Sequence, residues 1–303
     1  MNKYKKVMLI YGGISSEREI SIISSKGIYD SLIKNDYEVT KVDADELLEE
    51  QINKIKPDVI FNALHGYWGE DGQVQSIIEK TKIPYTHSGV ESSRVAMDKS
   101  MSGERFINNR ILYPKTELIH LNELLSYDGF AYPFVLKPRN DGSSVGVSII
   151  KNSLDKEKYI LANSHLKEVL AQEFIKGKEI QVAVIGNQAI GSIEIVPKNE
   201  FYDYESKYFD SGGTQHILPP RITKKEKELV EKIALHTHKL LECKGISRSD
   251  FILDDESKEF YLLELNTQPG MTPTSLVPEI AKAEGIEFDE LLNWILNDAS
   301  TNR

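Results

Sequence analysis

Residues 7–13 read Val7-Met8-Leu9-Ile10-Tyr11-Gly12-Gly13, an unbroken apolar run closed by two glycines. A short continuous run of this kind predicts a strand buried on both faces. A helix is expected next. Ser16 and Glu19 have capping-box spacing, and Ile20, Ile23, Gly27, Ile28 and Leu32 recur at helical period. Val59-Ile60-Phe61-Asn62-Ala63-Leu64 repeats the buried strand, and Ile83-Pro84-Tyr85 forms a third apolar patch. Strands alternating with helices indicate an α/β unit on a parallel sheet. Ligands then belong at the carboxyl ends of the strands, in the loops after residues 11, 64 and 85.

The rest of the chain changes character. A polar helix is predicted near 93–108, then strands at Phe134-Val135-Leu136-Lys137, 146–150 and 169–175. Residues 178–196 alternate in the manner of antiparallel strands, with Ile180, Val182 and Val184 on one face. Residues 198–222 are polar, aromatic and rich in turn formers, the signature of a functional loop. A helix follows over 223–243, and strands 250–255 and 260–266 flank a polar turn as a hairpin.

Composition narrows the function. The 37 basic and 47 acidic residues leave a net charge of −10, which argues against nucleic acid or an anionic membrane as partner. The single cysteine, Cys243, excludes an internal disulfide and fits a reducing compartment. No apolar run is long enough to span a bilayer, and no export signal is recognisable at the N-terminus, so a cytoplasmic location is expected.

The hairpin carries the richest chemistry. Strand alternation puts Glu264 and Asn266 on one face, and a turn centred on Ser257 places Asp250 opposite Glu264. Two readings fit: a solvated sheet face, or three hard oxygen donors aimed at Mg²⁺. Arg248 is either a surface charge or a cation held beside the acids. Lys137 closes a strand and leads into Asn140-Asp141-Gly142-Ser143-Ser144-Val145-Gly146. That turn is either a simple hairpin or a phosphate cradle, since small residues let backbone N–H groups approach phosphate oxygens. Neither G-x-x-x-x-G-K-[ST] nor G-x-G-x-x-G occurs. His65, at the end of a buried strand, is a better site candidate than a lone histidine elsewhere. His236 and His238 are two apart on a helix and make a poor zinc pair, and Cys243 reads as a packed thiol.

Taken together, these segments resemble the D-alanine–D-alanine ligase family of the ATP-grasp superfamily. The resemblance runs from Gly12 to about Leu296. It is carried by GGISSEREIS at 12–21, LHGYWGEDGQVQ at 64–75, MDK at 97–99 and KPRNDGSSVGVS at 137–148. FYDYESKY at 201–208, SRSDF at 247–251 and LLELNTQPGMTPTSLVPE at 262–279 complete it.

The resemblance implies an N-terminal parallel α/β domain (1–98) and a two-lobed ATP-grasp unit with antiparallel sheets (99–178 and 179–303). It implies ATP-dependent joining of two D-alanines through a D-alanyl phosphate, for peptidoglycan precursors. ATP is the co-substrate, with two Mg²⁺ ions or Mn²⁺ in their place, and a homodimer is expected. By the same resemblance Asp250, Glu264 and Asn266 hold the metal, while Lys99, Lys137 and Ser144 meet the phosphates. Gln172, Glu173, Phe174 and Ile175 border adenine, and Glu179 holds the ribose. Glu17 takes the ammonium of the first D-alanine, with His65 beside it. Arg248 and the Gly270 N–H stabilise the oxyanion, and Ser275 and Leu276 receive the second substrate. Lys207 and Tyr208 belong to the active-site cover, where Tyr208 links to Glu17 and Ser143.

Some positions depart from the family pattern. Ser247 and Ser249 flank Arg248 where glycine and an apolar residue are usual, Gly103 stands for a lysine, and His87 stands for a common glycine. Gln172-Glu173 replaces a common Glu-Lys. Two alternatives accompany the ligase expectation. One is a relative making D-alanyl-D-lactate or D-alanyl-D-serine, disfavoured by the tyrosine at 208. The other is a nucleotide-binding regulator without catalysis, disfavoured by the retained Asp250, Glu264, Asn266 and Arg248.

Overall fold

In the computed structural model, residues 3–142, 145–197, 213–272 and 275–303 are described. The sequence-predicted site residues Ser143, Ser144, Lys207 and Tyr208 lie outside the described residues.

Three parallel strands open the chain: β1 (Lys6–Tyr11), β2 (Glu38–Asp43) and β3 (Val59–Asn62), in the order β2-β1-β3. β1 and β3 are the apolar runs expected to be buried. β2 escaped the pattern because it is an edge strand in which only Val42 is buried, so it carries no continuous apolar run. Tyr85 extends this sheet through a parallel bridge to Ile60. Helices α1 (Arg18–Lys34), α2 (Leu48–Ile55) and α3 (Gln73–Thr81) connect these strands and follow β3.

The expected Ser16–Glu19 capping box does not form. Helix α1 starts at Arg18, its N-cap is Glu17, and no side chain caps it. Ser15 organises the turn instead: its Oγ accepts from the Glu17 N–H at 3.1 Å and donates to the His65 carbonyl at 2.6 Å. The loop after β1 is thereby fastened to the loop after β3.

The single polar helix expected over 93–108 is two: α4 (Val90–Met97) and α5 (Lys99–Asn108). Asp98 is extended between them, and its carboxylate accepts from the Ser100 and Met101 N–H groups at 3.0 and 3.1 Å. An N-cap of this type satisfies donors that the helix itself leaves open.

A four-stranded antiparallel sheet follows: β4 (Thr116–His120), β5 (Phe134–Lys137), β6 (Ser148–Ile150) and β7 (Glu168–Glu173), ordered β4-β7-β5-β6. Helix α6 (Ser153–Ala162) packs on it. A five-stranded antiparallel sheet comprises β8 (Gly177–Ile185), β9 (Gln188–Val196), β10 (Gln215–Ile217), β11 (Ile246–Asp254) and β12 (Phe260–Asn266). Helix α7 (Lys224–Leu240) covers one face, with a full capping box at Thr223 and Glu226. Helices α8 (Leu276–Ala283) and α9 (Phe288–Asp298) end the chain.

The two ends of the chain share a core. Val7, Leu9 and Phe61 of the parallel sheet pack in one cluster with Ile280, Leu292 and Ile295 of the last helices. Near the terminus Arg303, its side chain buried, donates to the His87 carbonyl and pairs with Asp298. His87 has φ +67°, in the left-handed region, which accounts for glycine being common at this position. Gly103 is also explained: a Cβ there would lie 2.7 Å from the Tyr113 ring.

Candidate active site

The β11–β12 hairpin sets one half of the site. Asp250 pairs with Glu264 and Arg248 with Asn266, so all four side chains share one face. The turn is not centred on Ser257, as expected, but between Glu256 and Ser257, since Phe251 pairs with Leu262 and Leu253 with Phe260. A bulge at Leu263 makes up the difference. Such an extra residue re-aims the strand beyond it, and here it brings Glu264 opposite Asp250.

Asp250 is buried, and the Arg248 fork grips it: Nε to Oδ1 at 2.7 Å and Nη2 to Oδ2 at 2.9 Å. Paired, both charges can persist away from water. Glu264 Oε2 lies 3.6 Å from the Lys99 ammonium. Lys99 is the first residue of α5, and its Nζ also donates to the Asp141 carbonyl. Lys137, at the end of β5, is buried close by. Burial pushes its pKa down to about 7, the Lys99 charge pushes the same way, and Glu264 opposes both. Two lysine ammoniums sharing one carboxylate form a patch that favours an anion.

The opposite side is built by the loops after β1 and β3. Glu17 and Glu70 are both buried, and a Cβ at Gly142 would lie 2.9 Å from Glu17 Oε1 and 3.5 Å from Glu70 Oε1. Glu70 Oε1 accepts the Gly66 N–H at 3.0 Å. Burial, then the Glu17 charge, raises the Glu70 pKa well above the usual carboxylate value. His65 is buried with its ring 3.4 Å from Ser24 Oγ, and burial lowers its pKa to about 4, so the ring is neutral at neutral pH.

A third wall follows β12. Ser275 is the N-cap of α8, and its Oγ accepts the Thr272 N–H at 3.0 Å. Leu276 is the first residue of the helix, where unpaired N–H groups and the helix dipole favour a carboxylate. Gly270 approaches this corner closely; a Cβ there would sit 3.1 Å from Ser275 Oγ.

Two cavities result. One of about 320 Å³ is lined by Glu17, His65, Lys99, Arg248, Glu264, Asn266, Gly270, Ser275 and Leu276, among others. One of about 420 Å³ lies between the two antiparallel sheets, lined by Lys99, Lys137, Gln172, Glu173, Phe174, Ile175, Glu179, Asp250 and Glu264, among others. Every described candidate from the sequence thus borders one cavity or the other. Lys99, Asp141 and Glu264 border both, so the cavities meet at the lysine–carboxylate contact.

Among the described residues no three His, Cys, Asp or Glu side chains converge as a metal cluster. The candidate donor set is two carboxylates and an amide. Asp250 faces the larger cavity, Asn266 the smaller, and Glu264 stands between them. Hard oxygen donors in this number suit Mg²⁺, which keeps the rest of its shell for water and phosphate.

Sequence reasoning gave Glu70 and Gln268 no role. Glu70 was visible only as one of two acids in the loop after β3, and its burial was not. Gln268 was a position inside a motif, with no sign that its side chain crosses to the parallel sheet. His238 and Cys243 are structural, as read. His238 Nδ1 meets Ser247 Oγ at 2.7 Å, which gives that unusual serine a partner, and burial raises the Cys243 thiol to about 12. Nothing in the structure explains Ser249.

Comparison with known proteins bears on this architecture. Residues 119–297 match the family described as D-ala D-ala ligase C-terminus, and residues 43–88 match D-ala D-ala ligase N-terminus. The chain is 48% identical to a D-alanine–D-alanine ligase of Pelagibacter ubique, over 99% of both chains. It is 43% identical to that of Parvibaculum lavamentivorans, over 100% of both. A crystal structure of the Bacillus anthracis D-alanine–D-alanine ligase complexed with ATP superposes with a TM-score of 0.82 at 30% identity, covering 97% of each chain. Matched along essentially its whole length in sequence and in fold, the chain belongs to the D-alanine–D-alanine ligase family.

Proposed function

We propose that this protein joins two D-alanines into D-alanyl-D-alanine with ATP, through a D-alanyl phosphate, and so supplies a peptidoglycan precursor. The meeting of the two cavities at Lys99 and Glu264 carries the reading. A nucleotide seated in the larger cavity points its phosphates at the place where a small zwitterion in the smaller one presents its carboxylate. The organisation proposed is an N-terminal unit (1–98), a central lobe (99–178) and a C-terminal lobe (179–303).

A carboxylate is a poor acyl donor because its leaving group would be oxide. Its oxygen attacks the γ-phosphorus of ATP, the bond to the β-phosphate oxygen breaks, and ADP departs. The amine of the second D-alanine then attacks the acyl carbon, loses its proton, and phosphate leaves. The acyl phosphate must meanwhile be kept from water. Glu17 holds the ammonium of the first D-alanine, and neutral His65 lies beside it. Lys99 and Lys137 hold the triphosphate. Gln172, Glu173, Phe174 and Ile175 border adenine at the crossover between the two sheets, and Glu179 takes the ribose. Asp250, Glu264 and Asn266 would hold Mg²⁺, which when bound neutralises phosphate charge. Arg248, fixed by Asp250, and the Gly270 N–H face the oxyanion; such a preorganised donor is typically worth roughly 10² to 10³ in rate. Ser275 and the Leu276 N–H receive the carboxylate of the second substrate. Ser143, Ser144, Lys207 and Tyr208 complete the cover by resemblance alone.

ATP and D-alanine are the partners in this reading, and a cytoplasmic homodimer is its expected form. ADP release measured with and without D-alanine, with the product weighed by mass spectrometry, tests it. Supplying D-lactate or D-serine beside D-alanine separates dipeptide formation from the two related activities.

A further inference from the structure

Gln268 follows the candidate metal ligand Asn266 by two positions, yet its side chain leaves the catalytic strand and enters the parallel domain. Its Nε2–H donates to the Leu64 carbonyl, and its Oε1 accepts from Asn62 Nδ2 at 2.9 Å. Gln268 and Asn62 are both almost completely buried. Asn62 braces the same loop from its own side. It donates to the Gly69 carbonyl at 3.1 Å and its Oδ1 accepts the Leu64 N–H at 3.1 Å. Gln75 adds a bond to the Gly69 carbonyl at 3.0 Å. The main chain of Gln268 bears on both neighbours: its N–H donates to Asn266 Oδ1 at 2.8 Å, and its carbonyl faces the His65 ring as an acceptor, partly offsetting the burial that lowers the ring's pKa.

We propose that Gln268 is a positioning residue that fixes the His65 loop, and with it the first D-alanine subsite, against the phosphate end of the site. The proposal rests on the functional reading above and extends it to a residue that need touch no substrate. Its physical basis is the sharing of one residue by two subsites. The Leu64 carbonyl belongs to the peptide group that carries the His65 nitrogen. A shift of Gln268 therefore moves the histidine relative to Asn266. A buried amide whose partner is removed leaves the Leu64 carbonyl unsatisfied, and the loop must move to recover a bond.

Gln268→Met keeps the length and removes both bonds. Gln268→Ser leaves room for water and serves if the methionine variant does not fold. Either variant is expected to raise the kinetic constant for the first D-alanine about tenfold, the usual effect of leaving one buried partner unsatisfied. The ATP constant should stay within twofold. A merely structural role would lower the melting temperature without dividing the two substrates. A first-D-alanine constant within twofold of the parent, or both constants rising by one common factor, overturns the proposal. Hydrogen exchange supplies a readout independent of the reaction. Amides of residues 64–72 should exchange faster in the variant while those of β1 do not, and unchanged loop exchange overturns the latch. A parent enzyme that forms no dipeptide would instead refute the functional reading, leaving the exchange result to judge Gln268.

Discussion

Glu264→Gln removes one of the three charged residues that border both cavities, the other two being Lys99 and Asp141. Glutamine keeps the shape and one acceptor oxygen, so the hairpin and its bulge should stay in place. The carboxylate lies 3.6 Å from Lys99 and faces the region where a divalent cation would sit. A unit pair at about 4 Å is worth about 4 kcal/mol at an effective dielectric near 20. Asp250, Asn266 and water recover part of this, leaving about 2–3 kcal/mol, or roughly 30- to 150-fold in kcat/KM at limiting Mg²⁺. The substitution also frees two lysines from a counter-charge, so metal-free ATP should bind the variant more tightly than the parent. The two effects have opposite signs, which separates a metal role from general damage. Initial rates across a Mg²⁺ titration and metal-free ATP binding by calorimetry measure them. Turnover within threefold of the parent at every Mg²⁺ concentration would refute the assignment.

Metal-free ATP affinity should fall as pH rises through about 7, because Lys137 is depressed to about 7 and its ammonium is the form that attracts phosphate. Lys137→Arg, which cannot lose its charge in this range, should flatten the profile in the same calorimetric titration. Acid should destabilise the fold through three buried histidines, His65, His87 and His238, lowered from 6.5 to about 4, about 3 and about 4. Below pH 6.5 the unfolded chain binds protons that the folded chain refuses, so stability falls with pH by up to about 1.4 kcal/mol per unit per histidine until the folded values are reached. Glu70, raised by burial, gives an opposing contribution, because its folded form binds a proton more readily than its unfolded one. His87→Asn tolerates the left-handed backbone and should remove one histidine's share of the slope, read from urea midpoints between pH 7 and 5.

Much of this architecture was legible because burial writes itself into sequence as runs and alternation. β1 and β3 announced themselves, and so did β8, β9 and the β11–β12 hairpin. β2 and β4 did not, being edge strands whose outward residues are polar. Asp250, Glu264 and Asn266 could be placed on one face by counting, but the count assumed a regular ladder and left Arg248 open between a surface charge and a cation beside the acids; the ladder puts it opposite Asn266. A bulge compensated for a turn placed half a residue away. The Ser16–Glu19 box failed because a local pattern competed with tertiary demands: Glu17 is buried facing Gly66 and Gly142, and Ser15 ties its loop to His65. Glu70 and Gln268 were unreadable for a related reason. Their significance lies in which remote backbone they meet, and no periodicity reports that.

In the proposed reaction a carboxylate and a nucleotide meet at Lys99 and Glu264. The most direct test is ADP release by the purified chain with ATP and Mg²⁺, with and without D-alanine, the product being weighed. Release should depend on D-alanine, with one D-alanyl-D-alanine formed for each ADP. ADP formed at the same rate without D-alanine, or with no dipeptide in the products, would contradict it.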